Sequence, residues 1–298
     1  MGIDIEVARF IIRSAKRGVK FDKTVSIGRQ NLLVGRRELE SLLKEYGLKH
    51  DAIPSQEEFR IGRPFAESLF QILGATQPEA LDASDYEGAS LIHDLNLPLP
   101  QALEGGFDSV CELGSLEHVF NFTFAIKNCL KLVKKDGYFL WVTPANNFFG
   151  HGFYQFSPEL LYRILSRENG FVVEEMVAVE YGPRRRWYSV VDPASIGDRV
   201  RLINQFPVML MVRAKRVDDV EPLLMSPQQS DYTVIWENHA ESASSPRVRS
   251  RLRRIKDFLI ENLPRFARMT QALQGSGWNY VFSFRNARAF KAMEKRGF

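Results

Sequence analysis

Between Phe107 and Phe156 the apolar positions change period twice. Residues 107–113 (FDSVCEL) form a short, largely apolar run, the pattern of a strand buried on both faces. Phe122, Ile126, Leu130 and Val133 then recur at helical spacing, and Asp136-Gly137 is read as the stop of that helix. Residues 138–142 (YFLWV) are a second apolar run, halted by Thr143-Pro144. Strand, helix and strand make a β-α-β unit, whose right-handed crossover predicts a parallel sheet.

The rest of the chain hangs on this unit. Residues 23–28 (KTVSIG) are a strand running into Gly28-Arg29-Gln30, followed by helical segments around 36–46 and 64–73. Residues 79–83 (EALDA) form a strand ending at Asp82, and 89–92 (ASLI) one ending at His93-Asp94-Leu95-Asn96. Ser157-Pro158-Glu159 opens a helix expected to run to about Glu168, where Asn169-Gly170 ends it. Residues 171–181 and 207–217 read as strands, joined by an arginine-rich connection, Arg184-Arg185-Arg186-Trp187-Tyr188. That connection is either a solvated loop or a grip for an anionic acceptor.

The order predicts a Rossmann-like α/β fold: a mostly parallel seven-stranded sheet with helices on both faces. One domain would span 1–227, with an amphipathic N-terminal helix over 1–20 and a core over 23–217. Residues 228–298 would be a linker and a basic, helical C-terminal extension, with DYTVIW (231–236) offering one further short strand. In such sheets ligands bind beyond the carboxyl ends of the strands. That rule gathers Gly28, Asp82, Asp94, residues 112–118 and residues 144–154 around one crevice.

Composition narrows the class. Apolar residues make up 45% and charged residues 26%, as in ordinary globular proteins. No apolar run approaches the roughly 20 residues that span a bilayer, and the N-terminus lacks the small-residue cleavage site of a signal peptide. Two cysteines give no disulfide framework, so a reduced, cytoplasmic setting is expected. From Ala240 onward 13 Lys and Arg stand against 4 Asp and Glu, a net of +9, which leaves the remainder at −5. An acidic body argues against nucleic acid as its substrate. The basic run Arg247, Arg249, Arg251, Arg253, Arg254 and Lys256 is threaded by Val248, Leu252, Ile255 and Leu259. It fits a helix packed by that stripe, one lying peripherally on an anionic membrane, or one meeting an acidic partner. The five histidines and two cysteines show no metal-ligand spacing, and there is no P-loop or G-x-S-x-G.

The segments LDAS, HDLN, FDSVCELGSLEHV and KKDGYFLWVTP, followed by SPELLYRIL and NGFVVEE, together resemble the class I S-adenosylmethionine-dependent methyltransferases, the small-molecule branch above all. The resemblance covers roughly 23–217. It implies S-adenosylmethionine as cofactor and methyl transfer to a small-molecule or sugar-containing acceptor. It also implies that Asp82, with Ala83 beside it, receives the ribose hydroxyls, and that Asp94 receives the adenine amino group with Leu95 against the ring. Gly28 would belong to the first cofactor loop, and Leu113-Gly114-Ser115 would wall the methionine moiety. Glu117-His118 matches the family's Glu-His pair near the acceptor.

The first loop departs from the family's acidic G-x-G-x-G, reading Ser26-Ile27-Gly28-Arg29-Gln30, and about 50 residues separate the first strand from the second. Either a remodelled loop holds the cofactor or the chain is a binding module that kept the fold without it. A nicotinamide enzyme is disfavoured by the same missing glycines. His118 and His151 are the candidate proton acceptors. Asn146, Asn147, Phe153, Tyr154 and Gln155 are the candidate acceptor wall, in a loop that Gly150 and Gly152 allow to turn sharply.

Overall fold

A computed structural model describes residues 2–48, 53–55, 57, 59, 64–233 and 283–295. Helix α1 (Ile5–Lys16) begins where the Asp4 carboxylate accepts the Glu6 and Val7 amides, each at 3.0 Å. Then follow β1 (Thr24–Ile27), α2 (Arg36–Glu45), α3 (Ala66–Ile72), β2 (Glu79–Asp82), β3 (Leu91–Ile92) and β4 (Phe107–Leu113). The second half contains α4 (Phe122–Leu132), β5 (Val133–Asn146), α5 (Pro158–Ile164), β6 (Phe171–Glu180), β7 (Arg186–Val190), α6 (Pro193–Ile196), β8 (Val208–Arg216) and β9 (Phe290–Ala292).

The strands form one nine-stranded sheet in the order β3-β2-β1-β4-β5-β8-β6-β7-β9. The first five are parallel, and β8, β6, β7 and β9 extend the sheet with antiparallel pairings. The architecture is Rossmann-like α/β, with two strands more than the seven expected. Both additions lie at the far edge. The segment expected as an arginine-rich loop is strand β7 from Arg186, because Trp187, Tyr188 and Val190 are buried. Arg185 pairs with Asp4 at 3.1 Å, which holds this arginine at the residue that caps α1. Strand β9 comes from the extension expected to be helical and pairs with β7 through Phe290. Residues 230–233 are helical where a strand was offered, and 234–236 lie outside the described residues, as does the basic run 247–256.

Alternation along β5 splits the core in two. Phe139 and Trp141 face the cluster that holds Ile126, Leu130 and Leu161, from α4 and α5. Leu140 and Val142 face the other cluster, with Phe10, Ile11 and Leu43 from α1 and α2. Helix α1 is further tied to the antiparallel half by charge. Arg13 meets Glu175 at 2.7 Å, Arg213 meets Glu175 at 3.0 Å, and Trp187 Nε1 donates to Glu6 at 2.7 Å.

Two element boundaries moved for identifiable reasons. Strand β5 begins at Val133 and runs past Thr143-Pro144 to Asn146. Pro144, which cannot donate, sits where the β5–β8 register shifts, a place where a strand tolerates proline. Asp136-Gly137 therefore shapes a kink within β5, Asp136 having φ of 63°, and does not end α4. Helix α5 stops at Ile164 because the Asn169 side-chain amide donates to the carbonyls of Arg163 and Ile164, at 3.2 and 2.9 Å.

The two cysteines lie on opposite faces of the sheet, Cys111 in one core cluster and Cys129 in the other, and both are fully buried. Burial pushes both thiols well above their ordinary pKa. A thiol reagent should therefore label neither cysteine in the native protein and two per chain in denaturant. Rapid labelling of the native protein would contradict this packing.

Candidate active site

The chain leaves β1 toward β2 on one side, and β1 pairs with β4 on the other. At this reversal of strand order, connections diverge beyond the carboxyl ends and leave a crevice. A cavity of about 650 Å³ opens here. Of the residues singled out in the sequence, Gly28, Asp82, Ala83, Asp94, Leu95, Gly114, His118 and Phe153 line it. Leu113 is buried at the end of β4 and does not.

Asp82 closes β2. Its carboxylate accepts the Arg29 amide at 3.3 Å and the Ser84 amide at 3.4 Å, both long bonds that leave acceptor capacity. Asp94 follows β3. Its Oδ1 accepts both the Asn96 backbone amide at 2.9 Å and the Asn96 side chain at 2.8 Å. These two bonds, the backbone one foremost, hold the Asp94 carboxyl below the ordinary carboxylate range. Two buried polar atoms on the cavity residues, Gln30 Oε1 and His93 Nε2, have no protein partner. Unsatisfied buried groups are expensive in a folded protein, so these mark places where a bound molecule would find hydrogen-bonding groups.

The first loop shows what replaces the missing glycines. Gly28 has φ of 72°, and a Cβ there would come within 2.6 Å of Ser115 Oγ and 2.9 Å of Gln30 Nε2. Ser115 Oγ donates to the Ile27 carbonyl at 2.8 Å, and Gln30 Nε2 donates to Ser115 Oγ at 2.9 Å. Two side chains thus occupy space that a glycine-rich loop leaves to its backbone. Arg29 straps this loop outward, bonding Glu67 at 2.8 Å and the Glu87 and Gly88 carbonyls at 2.5 and 2.9 Å. Its guanidinium lies 4.0 Å from the Phe65 ring centroid. The long β1–β2 connection therefore supplies α2, α3 and the strap.

The end of β4 concentrates buried charge. Glu112, fully buried, uses Oε1 to accept the amides of Gly114, Ser115 and Leu116 at 3.2, 2.5 and 2.9 Å, while its Oε2 has no partner. Burial, reinforced by the neighbouring Glu117, pushes the Glu112 carboxyl well above the usual range despite those three donors. Glu117 is also fully buried, neither of its oxygens is hydrogen-bonded, and burial pushes it up to about 7. Partial desolvation, then the adjacent His151, lowers the His118 pKa, and desolvation likewise lowers that of His151. The two rings meet edge to face with centroids 4.9 Å apart. His151 Nε2 stands 3.4 Å from Glu117 Oε1.

The loop carrying His151 is fastened to the backbone of Glu117, whose carbonyl accepts the Phe153 and Tyr154 amides at 2.7 and 3.3 Å. Gly152, at φ of 67°, permits this approach, since a Cβ would lie 2.7 Å from the same carbonyl oxygen. The expected acceptor wall is only partly assembled at the cavity. Phe153 reaches it, whereas the Tyr154 hydroxyl donates to the Phe120 carbonyl at 2.6 Å and Gln155 accepts the Phe148 amide at 2.9 Å. Asn146 bonds Asn204 at 2.9 Å, and Asn147 donates to Asn204 and to the Phe206 carbonyl. The two asparagines brace the β5–β8 end, with Asn147 at a φ of 59° that this residue type tolerates.

Ser115, expected with Gly114 beside the methionine moiety, lines the cavity as well, and so do Gln30, His93 and Phe120, to which the sequence assigned no role. The only signal available for Gln30 was its place directly after the first strand.

No family model matches the chain, and no curated protein matches it in sequence. Solved structures do resemble it. One is the branched-chain polyamine synthase from Thermus thermophilus, crystallised with N4-aminopropylspermidine and 5'-methylthioadenosine, at 13% identity and a TM-score of 0.37. That alignment covers 76% of this chain and 60% of the synthase, so the chain spans less than two thirds of that protein. Another is 1,6-didemethyltoxoflavin-N1-methyltransferase from Burkholderia thailandensis with bound S-adenosylhomocysteine, at 13% identity, 72% and 79% coverage and a TM-score of 0.38. A third is an S-adenosylmethionine-dependent methyltransferase from Thermotoga maritima, at 18% identity, 71% and 91% coverage and a TM-score of 0.31.

The three amides gathered by Glu112 Oε1 yield a direct test. Glu112→Ala leaves all three donors unpaired in a buried turn and should cost roughly 2–4 kcal/mol of unfolding free energy. Glu112→Gln, which keeps an oxygen in place, should cost clearly less. Urea denaturation measures both, and equal losses would show that the acceptor is not what holds the turn.

Proposed function

We propose that the protein is a methyltransferase that uses S-adenosylmethionine and acts on a small-molecule or sugar-containing acceptor. The observation that carries this reading is that Asp82 and Asp94, at the ends of neighbouring strands, border one cavity whose lining also includes His118. The residues present fit a nucleoside. Asp82 has acceptor capacity for vicinal ribose hydroxyls, and Asp94 can accept an exocyclic amino group without giving up its Asn96 turn. Leu95 adds apolar surface beside it, and the unpartnered atoms of Gln30 and His93 can meet the remaining polar groups. The Gly28–Gln30–Ser115 arrangement supports a remodelled first loop over a lost cofactor site, because about 650 Å³ remains open beside it.

When bound, the sulfonium supplies an electrophilic methyl group. The chain's share of the work is mainly to hold donor and acceptor at attack distance, which removes an entropic barrier worth many powers of ten in rate. Phe120 and Phe153 stand together at the rim, ring centroids 5.8 Å apart, and provide apolar walls for an acceptor. Removal of the acceptor's proton falls to the cluster of Glu117, His118 and His151, which combines two imidazoles of lowered pKa with a buried carboxylate.

Isothermal titration with S-adenosylhomocysteine tests the reading. Binding is expected with a dissociation constant on the order of 1–100 μM, a range in keeping with ordinary enzyme substrate constants. Asp82→Ala should weaken it at least about tenfold, equivalent to about 1.4 kcal/mol. No heat with the wild-type protein would overturn the assignment.

A further inference from the structure

Beside the donor cavity, three side chains with metal-binding atoms converge without any hydrogen bond to explain them. One ligand atom each from Glu117, His118 and His151 lies within 4.8 Å of the other two, the only such group of three among the described residues. The Glu117 carboxylate is wholly buried, yet neither oxygen has a hydrogen-bond partner, and the buried His151 Nε2 has none either. His151 Nε2 and Glu117 Oε1 are 3.4 Å apart, long for a hydrogen bond between them. That spacing has another meaning: ligand atoms bound at about 2.1 Å in tetrahedral geometry sit about 3.4 Å from each other. A carboxylate buried without any donor is costly, and a cation between it and two imidazoles removes that cost.

We propose that Glu117, His118 and His151 bind a divalent transition-metal ion. Two imidazole nitrogens and one carboxylate oxygen form a donor set suited to zinc, cobalt or iron in the +2 state and poorly suited to calcium. His118 and His151 are 33 positions apart in the chain, so no local spacing announces the site. The fold brings them together through the Glu117 carbonyl, which fastens the His151 loop over the short turn holding His118. Three protein ligands leave at least one coordination position open. Because His118 also borders the donor cavity, an oxygen or nitrogen of the acceptor can complete the shell, and with the ion bound the cluster would promote loss of the acceptor's proton through the ion's charge and not through a free imidazole. This last step rests on the methyltransferase reading; the metal site itself does not.

The experiment uses full-length protein with any affinity tag removed, stripped with chelator and titrated with Co2+ and, separately, Zn2+, in the absence of nucleoside. About one ion per chain is expected, with visible absorption bands of the low-symmetry, nitrogen- and oxygen-ligated kind for Co2+. Glu117→Gln and His151→Ala should each weaken binding by about 100-fold or more, beyond what loss of an outer-sphere contact causes. Circular dichroism of each variant checks that it folds; should Glu117→Gln not fold, His118→Ala and His151→Ala carry the test. Absence of stoichiometric binding, or binding unchanged in folded variants, overturns the proposal. Titration of the metal-free protein with S-adenosylhomocysteine separates the two readings. Metal without nucleoside binding sinks the methyl-donor assignment alone, and nucleoside without metal binding sinks the metal site alone.

Discussion

Everything at the candidate site depends on one topological constraint: strand β1 is paired with β2 on one side and β4 on the other, so the connections leaving their carboxyl ends must part. The parting creates space without any special residue. What the sequence adds is the chemistry of the rim, with Asp82 and Asp94 on the β2–β3 side and His118 on the β4 side, next to the buried Glu112 and Glu117. Strands β1 and β4 are buried along their whole length, so packing on both faces fixes where their ends stand on either side of the crevice.

The β4 end carries the highest electrostatic cost in this region. Two carboxyl groups are fully buried five positions apart; burial raises the pKa of both, and the neighbouring Glu117 raises that of Glu112 further. Glu112 is compensated in part by three backbone amides; Glu117 is not compensated by any hydrogen bond. A purely structural core would gain stability by replacing Glu117 with an apolar residue. Its presence beside two histidines, of which His118 lines the cavity, is the kind of local energetic conflict that functional sites show.

Much of this was legible along the chain. The period changes between Phe107 and Val142 located β4, α4 and β5, and Asp82 and Asp94 stood at the ends of short apolar runs, as the structure bears out in position. Boundaries set by long-range partners were not legible. Strand β5 runs through Pro144 because a register shift against β8 accommodates it, and α5 ends early because Asn169 reaches back to its last carbonyls. Strands β7 and β9 were hidden for a different reason: a run of arginines masked the buried Trp187, and Phe290 finds its partner about 100 residues away in sequence. The roles of Gln30 and of the Glu117–His118–His151 cluster also depend on contacts between distant segments, which no local pattern encodes.

The central claim is that the cavity beyond β1 and β4 receives a nucleoside between Asp82 and Asp94. A crystal structure of the protein grown with S-adenosylhomocysteine addresses it most directly. The account predicts the ribose hydroxyls on the Asp82 carboxylate, the adenine amino group on Asp94 and the sulfur toward His118. The molecule bound elsewhere, or this cavity filled by side chains with the ligand absent, would contradict it.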